Sequence, residues 1–558
     1  MCGIFAYLLF KNINKNTPLK EIIKQNSNLI FGRGPDVNKE LSFDTNTFYL
    51  NLDFYRLSIM DTSDRGDQPI THTEKKIHLI CNGEIYNYDK LRKDNKFITK
   101  SDSDCEVILH MYGKYGIVET VKSLDGVFSF ILYDEEKNLL YAARDPIGVR
   151  PLFYAIDNTE KSISFSSEAK SLKNLYDKVN IFQPGHYLEI KLDSMPFNEN
   201  SSQQILDSNT ITYQKFPYYY YYYQTITDTQ ENAITTIRNS FIEAVNKRLM
   251  SDRPVGCLLS GGLDSSLVSS IVSMNFSAEN KKKLHTFSIG LENSPDLENA
   301  EKVAKYLGTT HHRVELTVQD FVDAVPEVIK TIESYDITTI RASVPNYLLA
   351  KYISENTDII VILSGEGADE IFGGYLYFHY APTPDEFQEE THRRVRLLHQ
   401  FDVLRCDRTT AKHGLEVRVP FLDKEFINYV LSLEPKHKYS ENKRIEKWIL
   451  REAFRGFLPD EILWRQKDAF SDAVGYTWVS KIKEVSKNAI SQERYNNRKE
   501  LYPNNTPDTE EAFYYREIFE EFYPNNCHLI SEIWRPKWTN TKEPSATALN
   551  VHQNNIEV

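Results

Sequence analysis

Over the first two hundred positions, apolar residues fall in short runs punctuated by Gly, Asn, Asp and Pro. Cys2 to Phe10 is almost continuous. Phe48–Leu52, His78–Cys81, Phe128–Tyr133, Leu140–Ala143, Ile163–Phe165 and Tyr187–Ile190 follow it. Runs of this length between turn formers predict strands. One stretch has another period. Between Asp104 and Tyr115 the apolar positions 107, 108, 111 and 112 share one helical face, which predicts a helix packed on a sheet. The expected arrangement is α+β, with stacked antiparallel sheets and a few helices outside.

Periodicity is lost between 197 and 235. Asn198–Asn209 is mostly polar, and six tyrosines occupy 218–223. A tyrosine run has neither a helical nor a strand period, so residues 206–230 read as a connector between domains spanning 2–205 and 231–540. A stacking platform for single-stranded nucleic acid needs basic residues as well as rings, and Lys215 is the only one nearby. From 231 onward helices and strands alternate. Helices are expected at Glu231–Leu249, Ser265–Met274, Asn299–Leu307 and Val344–Ser354. Strands are expected at Val255–Leu259, Leu284–Ile289, Arg313–Leu316 and Ile359–Leu363. Such alternation predicts an α/β domain with a parallel sheet. Past Gly373 helices dominate, and residues 541–558 read as a polar, flexible tail.

Composition narrows the function classes. The 558 residues carry a net charge of −13, with 41% apolar and 26% charged positions. An acidic chain is a poor general binder of phosphate backbones, so no nucleic-acid partner is expected. No run of about 18 apolar residues predicts a membrane span, and the N-terminus lacks the basic region of a secretory signal. The six cysteines form no CxxC pair. A disulfide framework or structural zinc is therefore not expected, and a reducing, cytoplasmic location is.

The chemistry starts at Cys2. Removal of Met1 would leave Cys2 with a free α-amine, whose ordinary pKa of about 7.7–8.0 lets it take up the thiol proton near neutrality. Nucleophile and base would then belong to one residue. Position alone leaves open a second reading, a small buried strand residue. Further along stand Arg33-Gly34-Pro35-Asp36, Arg56-Leu57-Ser58-Ile59-Met60-Asp61, Asn82-Gly83-Glu84-Ile85-Tyr86-Asn87, then SDCE at 103–106 and ARDPIGVRPLFY at 143–154. In this order they resemble the glutaminase domain of amidotransferases with an N-terminal nucleophile, which implies an αββα sandwich. The resemblance implies Cys2 as nucleophile, with the Asn82 amide and the Gly83 N–H as oxyanion hole. It implies Arg56, Leu57, Ser58, Ile59, Met60, Asn82, Gly83, Glu84 and Asp104 as the glutamine site. Arg56 would grip the α-carboxylate in a bidentate fork. One departure is Gly32, where that family has His.

In the second half, Ser260-Gly261-Gly262-Leu263-Asp264-Ser265-Ser266 follows a predicted strand and opens a helix. Backbone N–H groups at such a turn hold anions. The Lys of a Walker A loop is missing, and the pattern resembles the loop of ATP pyrophosphatases, which split ATP between the α and β phosphates. Phe287-Ser288-Ile289-Gly290 ends the next expected strand, and Ser364-Gly365-Glu366-Gly367-Ala368-Asp369-Glu370 follows another. The carboxylates of Asp264 and Asp369 are candidate ligands for Mg²⁺.

The whole order, through SYDITTIRAS (334–343), FDVLRCDRTTAKHGLEVRVPFLD (401–423), LWRQKDAFSD (463–472) and IWRPKW (533–538), resembles the glutamine-hydrolysing asparagine synthetase family, in its eukaryotic form. The resemblance implies ATP as substrate, contacted by Leu259, Ser260, Gly261, Gly262, Asp264, Ser265, Ser266, Ile289, Ser364 and Gly365. It further implies catalytic roles for Glu366 and Lys467, aspartate contacts at Thr339 and Arg341, and an apolar ammonia tunnel. A homodimer is common in the family. A second departure is Ala473, where the family has Gly. Two competing readings are another carboxylate-adenylating synthetase of the β-lactam-forming kind and a pseudoenzyme that binds glutamine or ATP.

Overall fold

A computed structural model describes residues 1–11, 19–193, 211–215, 225–276, 283–439, 444–467 and 475–539. The Tyr218–Tyr223 run, Ala473 and the tail after 539 lie outside them. The chain divides into two compact units, Met1–Tyr219 with Ala411–Leu415, and Tyr220–Thr410 with Glu416–Val558.

The first unit is built on two six-stranded sheets. Its strands are β1 (Gly3–Phe10), β2 (Val37–Asp44), β3 (Phe48–Arg56), β4 (Ile70–His72), β5 (Ile77–Ile85), β6 (Gly126–Asp134), β7 (Leu139–Arg144), β8 (Phe153–Asp157), β9 (Ser162–Ser166), β10 (Asn180–Ile181), β11 (His186–Lys191) and β12 (Ile211–Lys215). The sheet orders are β10-β8-β9-β1-β3-β2 and β12-β11-β7-β6-β5-β4. The pairings in both are antiparallel. Alternation decides which residues meet. Ile4, Ala6 and Leu8 of β1 and Leu50, Leu52 and Phe54 of β3 share one core with Ile80, Ile131 and Leu188 of the other sheet. The opposite face of β5 and β6 carries Leu79, Cys81, Phe128 and Phe130. It packs on α3 (Glu106–Ser123) through Val107, Ile108, Met111 and Tyr112. With α1 (Leu19–Ser27) and α2 (Tyr88–Asn95), this is the expected α+β sandwich. The helix expected to end at Tyr115 does break there, at Gly116 with φ 77°, and then resumes to Ser123. Residues 211–215, inside the expected connector, pair with β11 as an edge strand.

The second unit centres on five parallel strands: β13 (Val255–Leu258), β14 (His285–Leu291), β15 (Thr310–Leu316), β16 (Val361–Leu363) and β17 (Glu416–Arg418). Their order, β15-β14-β13-β16-β17, reverses direction between β13 and β16. Ligands of open α/β sheets bind beyond the strand ends at such a point. Around the sheet run α4 (Gln230–Lys247), α5 (Leu263–Met274), α6 (Pro295–Leu307), α7 (Val318–Ile332), α8 (Ile337–Asn356), α9 (Ala368–Phe372), α10 (Pro384–Leu397) and α11 (Asp402–Ala411). Helix α7 is absent from the sequence reading, although Phe321, Val325, Val328 and Ile332 are buried at helical spacing. A capping box between Thr317 and Asp320 starts it, while Pro326 inside it masks the pattern. No helix among the described residues is long and apolar enough to cross a membrane.

Candidate active sites

Cys2 stands just ahead of β1, on the face that carries Ile4 and Ala6, and packs against the core between the sheets. Its thiol faces the Leu57 carbonyl oxygen at 3.7 Å. Met1 ahead of it is buried, so the Cys2 nitrogen is a peptide nitrogen until processing. Arg33 fixes this end of the chain. It donates Nε to the Cys2 carbonyl at 3.0 Å and Nη1 to Glu168 at 2.8 Å, itself buried. The Asp36 carboxylate accepts from the Ser58 N–H at 2.8 Å, tying the two loops together. A Cβ at Gly32 would stand 3.0 Å from the Lys412 carbonyl oxygen, so a His there needs a local shift.

Arg56 departs from expectation. Its Nη1 donates to the Ser63 carbonyl at 2.7 Å and to Asp67 at 2.6 Å, and its Nη2 donates to the carbonyls of Met60 and Asp61. Both terminal nitrogens brace the loop that holds Leu57, Ser58, Ile59 and Met60. The fork expected for a substrate carboxylate is thus engaged within the protein.

Asn82 lies on β5 two residues beyond Ile80, so it faces the same inter-sheet space as Cys2. It is fully buried, and neither its Nδ2 nor its Oδ1 has a hydrogen-bond partner among the described residues. A buried amide left unpaired is unfavourable by roughly 1–3 kcal/mol, which marks a group whose partner is a ligand. Gly83 allows β6 to approach closely, since a Cβ there would stand 2.3 Å from the Val127 carbonyl oxygen. Glu84 and Asp104 are nearly buried. Asp104 accepts from the Ile85 N–H at 2.6 Å.

In the second unit a cleft opens beyond the ends of the paired strands β13 and β16, where the strand order reverses. Leu259, Ser260 and Gly262 of the loop after β13 line it with Asp264 and Ser265 of α5, and Ser364, Gly365 and Glu366 of the loop after β16 line it with Asp369 of α9. Ile289 and Lys467 complete the expected set that reaches it. The first loop is held by its own serines. Ser265 Oγ accepts from the Ser260 N–H at 3.1 Å, and Ser260 Oγ accepts from the Gly262 N–H at 3.3 Å. Gly261 takes φ 76° and backs onto α6, where a Cβ would meet the Ala300 nitrogen at 2.4 Å. Gly261 and Ser266 thus shape the loop without lining the cleft. The Ser266 hydroxyl is buried without a hydrogen-bond partner among the described residues.

The cleft's charges are paired. Lys447 Nζ donates to both Asp264 oxygens at 2.8 and 2.6 Å and to Asp369 Oδ1 at 2.7 Å, while Lys467 Nζ donates to Asp369 Oδ2 at 2.6 Å. Burial alone would push the Asp369 carboxyl up, but Lys447 and Lys467 outweigh it and hold it well below the usual range. Burial opposes the Lys467 charge, and Asp369 and Asp264 raise its pKa nonetheless. Glu366 accepts from Arg405 at 2.7 Å. Burial pushes its carboxyl up and Asp402 adds to this, against the pull of Arg405. Glu446 Oε1 accepts from the Lys467 N–H at 2.7 Å and from Arg451 at 2.6 Å, anchoring the backbone that presents Lys467.

Thr339 and Arg341 are not brought to this cleft. Arg341 is buried in a two-pronged pair with Glu511, at 2.8 and 2.6 Å, and the Thr339 hydroxyl donates to Asp336 at 2.8 Å. The Arg341 fork found a carboxylate on the Glu510–Phe522 helix, which is remote in sequence. Conversely, Lys447, Arg405, Glu446 and Asn346 border the cleft or its supports without a local motif to announce them. Among the described residues no group of three or more His, Cys, Asp or Glu side chains is arranged to hold a metal ion.

Comparison with known proteins follows the same division. A glutamine amidotransferase domain model matches residues 1–198, and an asparagine synthase model matches 236–386 and 380–551. A probable glutamine-hydrolysing asparagine synthetase of Dictyostelium discoideum is 41% identical, covering 100% of both chains. Asparagine synthetase 1 of Arabidopsis thaliana is 41% identical, over 99% of this chain and 94% of its own. The enzyme of Cricetulus griseus is 43% identical, over 93% and 94%. With likeness of this extent running through both units, the chain belongs to the glutamine-hydrolysing asparagine synthetase family.

Proposed function

We propose that the protein is a ligase that amidates aspartate with ammonia drawn from glutamine: L-aspartate, L-glutamine, ATP and water give L-asparagine, L-glutamate, AMP and pyrophosphate. What supports the reading is that one chain carries residues for two half-sites. One sets Cys2 and the Asn82 amide, unpartnered among the described residues, on the same inter-sheet space. The other is a sheet-edge cleft whose loops present Asp264, Glu366, Asp369 and Lys467.

In the first half-site the Cys2 thiol attacks the glutamine side-chain carbonyl once Met1 is removed, and the freed α-amine takes the thiol proton. Oxygen charge develops against Asn82 Nδ2 and the Gly83 N–H, ammonia leaves, and water releases glutamate from the thioester. Glu84 and Asp104 hold the substrate ammonium. Arg56 shapes the loop Leu57–Met60 that closes over the substrate and reaches its carboxylate only by releasing Asp67.

In the second half-site the loop Ser260–Ser265 and the helix it opens bind phosphate oxygens. An aspartate carboxylate oxygen attacks the α-phosphorus, giving β-aspartyl-AMP and pyrophosphate. Ammonia then attacks the acyl carbon and AMP leaves. Lys467 neutralises charge at the phosphorus, and Glu366, held by Arg405, lies at the site of adenylate formation. Mg²⁺ fits here, because Asp264 and Asp369 reach one ammonium within 2.8 Å and offer the oxygen ligands the ion prefers. Phosphate oxygens and water would complete its shell, and it would lower the charge of the departing pyrophosphate. We place the enzyme in the cytoplasm, where six cysteines joined in no disulfide suit a reducing medium, and assign it the family's common homodimer.

The test is an end-point assay with ATP, Mg²⁺, aspartate and glutamine. Asparagine and AMP should form one for one, and Cys2→Ala should form them only with added ammonia. Glutamate without AMP would overturn the synthetase half, and AMP without asparagine would point to another acceptor.

A further inference from the structure

We propose that the Asn346 carboxamide reads the edge of the nucleotide base and makes the cleft select adenine. The inference rests on the adenylating reading of the cleft. The cleft has two chemically unlike ends. One holds Asp264, Asp369, Lys447 and Lys467, which suit a triphosphate and its cation. The other is apolar, walled by Phe287 and Ile289 of β14 and Leu349 of α8, and suits a flat base.

Asn346 interrupts that apolar wall. It precedes Leu349 by about one turn of α8, lines the same cleft and is 8% exposed. Its carboxamide makes no hydrogen bond among the described residues. An apolar side chain would cover the same area without desolvating an amide, so the amide is favoured only when a ligand brings matching groups. A carboxamide presents one acceptor beside one donor in a plane. The N6 amino group and N7 of adenine match that pair, whereas a 6-oxopurine sets two acceptors against it. The charged end binds any triphosphate, so discrimination between bases falls to this end.

The experiment measures equilibrium binding of ATP, ITP and 7-deaza-ATP with Mg²⁺ by calorimetry, for the full chain and for Asn346→Leu and Asn346→Asp. The wild type should bind ATP about ten- to a hundredfold more tightly than either analogue. Asn346→Leu should bring all three within about twofold of one another. Asn346→Asp keeps the acceptor for N6 and lacks the donor to N7. It should keep preferring ATP to ITP and stop preferring it to 7-deaza-ATP, and it carries the test if the leucine variant does not fold. Equal weakening of all three ligands, or an unchanged ATP-to-ITP ratio in Asn346→Leu, would overturn the inference while leaving the cleft a nucleotide site. Absence of ATP binding by the wild type would overturn the adenylating reading and this inference with it.

Discussion

The proposed glutaminase site and nucleotide cleft would both stabilise charge that a reaction brings, and they are prepared for it differently. At the first, the proposed oxyanion-binding group is neutral: Asn82 is sealed from water, with neither amide atom satisfied among the described residues. At the second, cations and anions already interlock, Lys447 with Asp264 and Asp369, and Lys467 with Asp369. The difference follows the ligands. One oxyanion that exists only in passing is best met by a fixed dipole that needs no rearrangement. A polyanion arriving with its own cation needs several charges at once, and these cannot stand buried and unmatched beforehand. Preorganisation is thus achieved by an empty hydrogen bond in one place and by a provisional salt bridge in the other.

Four substitutions or conditions probe that contrast. The largest effect is expected from Cys2→Ala, which should lower glutamine-dependent asparagine formation by about 10⁴-fold or more while ammonia-dependent formation continues. A glutamine-dependent rate near that of the wild type would remove the nucleophile from Cys2. Next, Lys447→Met leaves two carboxylates facing each other, and breaking a buried pair costs about 3–5 kcal/mol. Calorimetry should show a lower unfolding temperature, partly restored by Mg²⁺ in the variant but hardly changed by it in the wild type. Third, Asn82→Ala should lower glutaminase kcat by about 10²–10³-fold with little change in thermal stability, because no protein hydrogen bond is lost. A large stability loss would show instead that Asn82 is structural.

The smallest effect concerns acid. Burial pushes His311, His379 and His392 of the second unit down to about 4. Their folded pKa values lie below the ordinary 6.5 or so, so the unfolded chain takes up protons first. Their contribution is therefore intact above about pH 6.5 and lost as pH falls towards 4. In the first unit Glu106, although burial opposes it, is held at about 2 by His110, Ser101 and the Lys100 N–H. Its contribution persists until pH falls below about 4.5. Burial also lowers His72, His78 and His186 of the first unit, so melting curves at pH 7, 6 and 5 should show both units weakening as pH falls through that range.

Legibility in the sequence tracked how local the determinants are. The alternation that buries Ile4, Ala6 and Leu8 is contained in one strand, and the Ser260–Ser266 turn carries its glycine and serines in one heptapeptide. Both could be read directly. Val37–Asp44 could not, because an edge strand with most residues at least partly exposed has no apolar pattern to display. Helix α7 was hidden by a single proline, although its capping box was there to be read. The site's unannounced residues act over distance. Lys447 meets Asp264 from 183 positions away, and Arg33 meets Glu168 from 135. Arg341 meets Glu511 from 170 positions away, an acceptor that no local pattern announces, and Arg56 meets the Ser63 carbonyl and Asp67 in its own loop.

The interlocked cleft also bears on how fast nucleotide is captured. Lys447 and Lys467 are matched by Asp264 and Asp369, so the phosphate end projects little positive field beyond its rim. The chain as a whole carries −13 and repels a free triphosphate at long range. Encounter is then governed by diffusion and by the cation the nucleotide carries, without electrostatic steering. Added salt, which screens that repulsion over roughly 10 Å at 0.1 M, should leave the association rate unchanged or raise it, whereas an enzyme with an open basic funnel would slow down.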